Sequence, residues 1–268
     1  MKERVYRIHA GIPHRIALLA DLHNADPGNT IEILRHRRPS LIAAAGDLFI
    51  GYRAQKGENL LDRQDRILPF IRACTALAPT YISLGNHEWA ASSSDLKTLE
   101  TTGAVILDNA WVLDESTGIT VGGLTSALLM DYRRFREKNG EERRYPEEKR
   151  HTSAYVLRPD IKWLRSFEQQ EGFKVLLCHH PEYWCLQTPM LRDHPIDLVL
   201  SGHAHGGQIR LFGRGLFSPG QGLLPFYTGG IYSGPYGKMI VSRGMANTAP
   251  PPIPRLFNPR EVVIIDLR

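Results

Sequence analysis

Five short, largely apolar runs punctuate the chain at residues 16–20, 41–45, 81–84, 174–178 and 197–201, and each opens directly into Asp, Gly or His. Runs of that length bounded by turn formers predict buried strands. Between them, residues 30–38, 62–77, 95–102 and 160–170 carry the spacing and composition of helices. The alternation predicts a layered α/β fold. Beyond residue 208 the texture changes. Residues 209–211, 238–243 and 261–267 are strand-like pieces separated by Gly- and Pro-rich turns, which predicts a second sheet and an α+β character for the whole.

Residues 131–150 stand apart, with eight Lys or Arg and six Asp or Glu interleaved around Asn139, Gly140 and Pro146. That mixture predicts a solvated helix-turn-helix insertion, with a substrate-gripping cap as the alternative. Residues 250–254 (PPPIP) predict a stiff extended stretch that routes the chain.

The 268 residues, 42% hydrophobic and 23% charged, suffice for the core of one large domain and exclude disorder, collagen and coiled coil. The apolar runs fall far short of the ~18–20 residues that span a bilayer. The first ten residues are charged but lack a following apolar stretch and a small-residue cleavage site, so no signal peptide is expected. The expected location is cytoplasmic, which is compatible with peripheral membrane contact. Cys74, Cys178 and Cys185, an odd number without CxxC spacing, predict reduced and mostly buried thiols. A net charge of +5 mildly favours anionic ligands such as phosphate esters. With no extended Lys/Arg stripe and no nucleic-acid module, nucleic acid is not an expected partner.

The chemistry concentrates at the strand ends, where open α/β sheets place their ligand crevices. Five clusters stand there: Asp21-Leu22-His23, Gly46-Asp47, Gly85-Asn86-His87-Glu88, His179-His180-Pro181 and Gly202-His203-Ala204-His205. In an extended segment residues i and i+2 point the same way, so Asp21 with His23, and His203 with His205, are expected to address one cavity each. Imidazoles and carboxylates without cysteine suit Mn, Fe, Zn or Co. Seven donors exceed the needs of one catalytic ion. Two ions about 3.5–4 Å apart, bridged by a carboxylate and a hydroxide, would form a clamp for in-line displacement at phosphorus.

These motifs resemble the pattern of the calcineurin-like metallophosphoesterases, D-x-H, GD, GNH followed by Asp or Glu, His, and GHxH, and the resemblance runs from about Arg15 to near the chain end. The string Gly202 to Ile209 (GHAHGGQI) is similar to a bacterial branch that includes membrane-associated phosphodiesterases and lipid A precursor pyrophosphatases. The resemblance implies a single domain over 1–268, built as a four-layer αββα sandwich of two mixed sheets, with the charged insertion at about 131–150. It further implies that Asp21, His23 and His205 hold one metal, that Asn86, His179 and His203 hold the other, and that Asp47 bridges them. The ions would be divalent or mixed-valence Mn, Fe or Zn. In the fourth motif the family's H-x-P pattern selects His179 over His180. His87 would protonate the leaving oxygen, and a metal-bridging hydroxide would attack.

Glu88 is expected to orient the His87 loop, and Asn24 and Gln208 are secondary candidates for the site. His9, His14, His36, His151 and His194 match no motif and are expected at the surface. Trp89, Tyr132, Tyr183 and Trp184 are expected to pack. No motif supplies a cation for a monoester dianion, although Arg210, Arg214 or residues 132–150 are within reach in sequence. The expected activity is therefore hydrolysis of a phosphodiester or pyrophosphate-type bond in a small or lipid-linked phosphate ester. The alternatives are a nuclease, a phosphomonoesterase and a catalytically silent metal-stabilised scaffold.

Overall fold

The computed structural model describes residues 1–51, 59–140, 158–187, 190–246 and 254–268. Two six-stranded sheets form its centre. The first runs β1 (Lys2–Ile8), β16 (Glu261–Leu267), β2 (Arg15–Leu19), β3 (Leu41–Ala45), β4 (Thr80–Ser83), β5 (Val105–Leu107). The second runs β14 (Gly230–Ser233), β15 (Lys238–Val241), β9 (Leu198–Ser201), β8 (Lys174–Cys178), β7 (Ile119–Leu124), β6 (Ala110–Asp114). Both are mixed. Strands β2 to β5 are parallel with β16 antiparallel beside them, and β15, β9, β8 and β7 are parallel between antiparallel β14 and β6.

Side-chain alternation divides each strand between two layers. Ile16, Leu18, Leu41, Ala43, Val263 and Ile265 face Val175, Leu177, Leu198, Leu200 and Ile240 across the inter-sheet core. Their neighbours Ala17, Leu19, Ile42 and Ala44 face outward onto α1 (Thr30–Arg37), α2 (Ile67–Thr75) and α3 (Ser93–Glu100), through Leu34, Phe70, Ile71 and Leu99. On the far side, Leu176, Val199 and Met239 pack under α5 (Leu164–Glu168) and the 3-10 turn Pro181–Trp184. The strands read as unbroken apolar runs because both faces are covered. The architecture is the expected four-layer αββα sandwich.

The late strand-like pieces do not make a sheet of their own. Lys238–Val241 pairs with β9, whereas Glu261–Leu267 inserts between β1 and β2 of the first sheet. The piece near residue 209 is β10 (Arg210–Leu211), paired with β11 (Arg214–Gly215) in a ribbon; a second ribbon joins β12 (Phe217–Ser218) to β13 (Gly222–Leu223). Strands β1, β6 and β7 escape the hydrophobic pattern for physical reasons. β1 and β6 lie at sheet edges and carry polar positions, while β7 contains Gly122 and Gly123. A Cβ on Gly123 would lie 2.4 Å from the Leu107 carbonyl oxygen, so the close approach there excludes a larger residue.

Helix boundaries shift where caps decide them. Ser92 and Asp95 form a capping box, starting α3 two residues before the expected Asp95, and a separate capped turn at Leu60–Arg63 precedes α2. The charged segment begins within α4 (Ala127–Asn139), whose Tyr132 ring meets Trp89 edge-on at 4.8 Å, so this helix packs on the core instead of standing in solvent. Residues 141–150 and 250–253 lie outside the described residues. Trp89, Tyr183 and Trp184 are buried, and so are Cys74 and Cys178, as expected. Among the described residues no helix is long and apolar enough to cross a membrane.

Candidate metal centre

The parallel strands of both sheets end along one edge, and the five motif clusters lie there. They are joined across the seam between the sheets. The Asp21 carboxylate, following β2, accepts the His203 N–H at 3.0 Å from the loop after β9, and His179 Nδ1, after β8, lies 2.7 Å from the Ala45 carbonyl oxygen at the end of β3. Within the first sheet the loops after β2 and β3 run side by side, with His23 N–H on Asp47 O at 3.1 Å and Asn24 N–H on Leu48 O at 2.9 Å.

The convergence of Asp21 with His23 and of His203 with His205 does not arise from extended alternation. All four residues have positive φ, as do Asn24 and Asp47, and Asp21 already lies beyond the end of β2. A left-handed conformation costs a residue with a Cβ about 1–2 kcal/mol, though Asp and Asn tolerate it better. Such strain persists where surrounding contacts over-determine it. Here the contacts include a carboxylate that the sequence placed only beside the His87 loop. Buried Glu88 accepts four backbone N–H groups, from Asp47 (3.0 Å), Leu48 (2.7 Å), Phe49 (3.1 Å) and Gly85 (2.7 Å). It thereby clamps two motif loops together. Gly85 completes the fit, because a Cβ there would fall 2.2 Å from Asp47 Oδ1.

Among the described residues four overlapping groups of three donors result, Asp21 with His23 and His205, Asp47 with His179 and His203, His23 with Asp47 and His87, and His180 with Glu182 and His203, each with ligand atoms within 4.8 Å of one another. His23 Nε2 lies 3.4 Å from His205 Nε2, Asp21 Oδ1 lies 3.6 Å from His205 Nε2, and Asp47 Oδ2 lies 3.0 Å from His179 Nε2. Asp47 Oδ2 also stands 3.9 Å from His23 Nε2, so one carboxylate faces both of the first two groups. Burial holds the rings of His23, His203 and His205 below the usual imidazole range, His23 at about 3, so they are neutral and present lone pairs. Burial also opposes charge on His179, but Asp47 and Asp21 outweigh it and hold that ring up at about 10. Conversely, burial and the charge of Asp47 push the Asp21 carboxyl up to about 7, despite the opposing pull of His179. Burial works against ionisation of Asp47 too, yet His179, His87 and His23 bring its carboxyl well below the usual range.

This donor set fits metal ions. His203 Nε2 and Asn86 Oδ1 are buried without a hydrogen-bond partner, which in a protein interior costs about 1–3 kcal/mol each unless a ligand takes the lone pair. Carbonyls set the tautomers. Phe49 O at 3.0 Å from His23 Nδ1, and Ala45 O beside His179 Nδ1, place the Nδ1 proton away from the centre and aim Nε2 into it. His87 is arranged the opposite way. Its Nδ1 accepts the Gly51 N–H at 3.0 Å, so in the neutral ring the proton sits on Nε2, 3.9 Å from Asp47 Oδ2 and partly open to solvent. Its backbone N–H also donates to Asp47 Oδ1 at 2.8 Å.

Other residues fall elsewhere. His180 Nε2 pairs with Ser126 Oγ at 3.0 Å, and its ring lies 4.4 Å from that of His203, tilted by 57°, as part of the fourth donor group with Glu182. Asn24 Oδ1 accepts the Arg66 N–H at 2.9 Å. Arg210 does not reach the donors; it is buried and donates to Gly206 O, Thr228 Oγ1 and Gly213 O, while Arg214 is exposed on the ribbon. His9 and His36 are exposed, whereas His14 and His194 are half-buried beside Ser40 (3.4 Å) and Glu168 (2.5 Å); His151 lies outside the described residues. Asn258 was not anticipated. Its amide donates to His205 O at 2.7 Å and Gln208 O at 3.1 Å, holding the last motif loop from more than fifty residues away. The Ile209–Leu256 bridge and the pairing of β16 that follows bring it there.

Comparison with known proteins agrees with this geometry. A family profile described as calcineurin-like phosphoesterase matches residues 14–207. A Bacillus subtilis protein, the uncharacterized metallophosphoesterase YkuE, is 24% identical over 257 residues, 90% of this chain and 76% of its own length. An uncharacterized metallophosphoesterase of Helicobacter pylori is 28% identical over 205 residues, 73% of this chain but only 45% of its own length. Among solved structures, a dimetal phosphatase from Danio rerio superposes with a TM-score of 0.53 at 13% identity, covering 89% of this chain and 90% of that one. That likeness concerns the fold.

Proposed function

The chain belongs to the calcineurin-like phosphoesterase family, and on that premise we propose that it is a dinuclear metal-dependent hydrolase of phosphodiester or pyrophosphate-type bonds. The observation that carries this reading is the pair of buried donor groups at the seam of the sheets, with the Asp47 carboxylate belonging to one and standing 3.9 Å from His23 of the other. In it, Asp21, His23 and His205 would hold one ion, Asn86, His179 and His203 would hold the other, and Asp47 would serve both. Mn, Fe and Zn all suit this nitrogen and oxygen set. When bound, such ions supply Lewis acidity and an activated water near neutral pH.

The chain's own residues do the rest. The carbonyls of Ala45 and Phe49 fix the rings of His179 and His23, and Glu88 holds the Asp47 and Asn86 loops in register. His87 presents the Nε2 proton at the mouth of the centre, where it can pass to a leaving alkoxide or phosphate oxygen. Among the described residues every ion-pair partner of Asp21 and Asp47 is a histidine. The nearby Arg255 is half-buried and spends its guanidinium on the carbonyls of Ala246 and Arg243. Among the described residues no lysine or arginine is ion-paired to these carboxylates to help neutralise a monoester dianion, which favours the singly charged phosphodiester.

The test is hydrolysis of bis-p-nitrophenyl phosphate beside p-nitrophenyl phosphate by metal-stripped protein reconstituted separately with Mn, Fe, Zn and Mg. Metal-dependent turnover, faster on the diester and absent in Asp47→Asn, is the expected result. Faster turnover of the monoester would overturn the diester preference. Two ions bound without turnover of either substrate would favour the silent scaffold.

A further inference from the structure

From Leu198 to Arg260 the chain contains six Lys or Arg and no Asp or Glu. The remaining 27 basic and 28 acidic residues nearly cancel, so the whole net charge of +5 comes from this segment. It includes the ribbons β10–β11 and β12–β13 and the turns around them. The same segment holds every large apolar side chain that is more than two-thirds exposed among the described residues: Phe212, Leu223, Leu224, Phe226 and Phe257, with Phe212 fully exposed. Backbone hydrogen bonds join the segments that carry these residues. Arg210 N–H donates to Leu256 O at 3.0 Å, Leu224 N–H to Leu216 O at 2.9 Å, and Phe217 pairs with Leu223 across the second ribbon.

Local backbone preference makes these side chains more conspicuous. Phe212, Leu224 and Phe257 have φ of 49°, 51° and 55°. Phe212 and Gly213 form the two-residue tip of the first ribbon, both at positive φ, a turn that ordinarily takes Asn, Asp or Gly. A bulky apolar residue in the left-handed region, facing water, satisfies neither its backbone nor its burial preference, and such local departures gather at functional surfaces.

We propose that this acid-free apolar face docks onto the surface of an anionic phospholipid bilayer, with Phe212, Leu223, Leu224, Phe226 and Phe257 entering the headgroup region and Arg214 beside them. A bilayer is the occupant that matches both properties at once, apolar tips for the acyl boundary and, with no acidic residue in the segment, the exposed Arg214 for the anionic headgroups; Arg210 is buried and Arg243 pairs with Glu261. Docking would bring the metal centre to the membrane, because the ribbons hang from its last loop. Leu216 N–H donates to Gly207 O at 3.0 Å, and Arg210 holds Gly206 O at 2.8 Å, immediately after His205.

The experiment is flotation of the full chain with vesicles of phosphatidylcholine alone and of an equimolar phosphatidylcholine–phosphatidylglycerol mixture. The chain is expected to float with the anionic vesicles and weakly with the neutral ones. The triple variant Phe212→Ser, Leu224→Ser, Phe226→Ser is expected to lose about tenfold or more in partitioning while hydrolysing bis-p-nitrophenyl phosphate as the parent does. Arg214→Glu is expected to lose several-fold at low salt, with the difference shrinking as salt is added, and it keeps the test decisive if the triple variant misfolds. No flotation with anionic vesicles, or flotation unchanged in the variants, overturns the proposal. So does a dimer in analytical ultracentrifugation that the triple variant dissociates while neither protein floats, since the face would then belong to a second copy. Flotation does not require turnover, so a chain that binds vesicles and hydrolyses nothing would overturn the hydrolase reading and leave this one standing.

Discussion

His205 and Phe212 lie seven residues apart and both adopt positive φ, 45° and 49°, yet one ring is buried in the metal centre and the other is fully exposed. Around His205 the strain is held from several sides. Asn258 binds its carbonyl, its Nε2 faces His23 and Asp21, and the loop closes under Leu216. Around Phe212, among the described residues, the support is the two-residue ribbon and the Arg210 guanidinium on the Gly213 carbonyl. Strain locked by many partners pre-organises donors for ions, whereas an unfavourable side chain left at a turn tip awaits a partner from outside.

The contrast can be broken most severely at its buried end. Asp47→Asn removes the charge that faces both donor groups, and metal content measured by elemental analysis is expected to collapse together with turnover, by more than the ~10–100-fold that losing an orienting partner costs. His87→Ala is expected to keep both ions and lose about 10²–10⁴-fold in kcat, most for poor leaving groups, because Nε2 presents a proton and not a lone pair. Full activity in that variant would remove the proton-donor role without touching the metal assignment. Glu88→Gln replaces a carboxylate that accepts four N–H groups with an amide carrying one acceptor oxygen. Metal affinity is expected to fall about 10–100-fold and urea-unfolding stability by about 2 kcal/mol. The smallest effect belongs to the exposed end. Leu224→Ser is expected to change unfolding stability by less than about 0.5 kcal/mol and soluble-substrate turnover not at all, since its side chain is 69% exposed. A loss above that size would mean the ribbons help to hold the centre.

Much of this is legible in the sequence alone. The runs at 41–45 and 174–178 coincide with β3 and β8, and those at 16–20, 81–84 and 197–201 are within a residue of β2, β4 and β9, because strands covered on both faces must be apolar throughout. Asp21, His23, Asp47, Asn86, His87, His179, His203 and His205 all stand at one edge, because parallel strands deliver their C-terminal loops to the same side. Less legible were the elements whose residues answer to neighbours and not to a pattern, such as Gly-rich β7, edge strand β1 and a late β16 that crosses back into the first sheet.

By itself, then, the sequence determined the donor chemistry and the layered class, since residue type and local periodicity are properties of the chain alone. Only the tertiary structure decided which nitrogen each histidine aims inward, through the carbonyls of Ala45 and Phe49 and the N–H of Gly51. It alone made Glu88 a clamp on two loops and Asn258 a brace on a third. It also left five large apolar side chains of an acid-free run exposed. Hydrogen-bond partners and solvent exposure are set by chain segments brought together from far apart, and no local pattern encodes them.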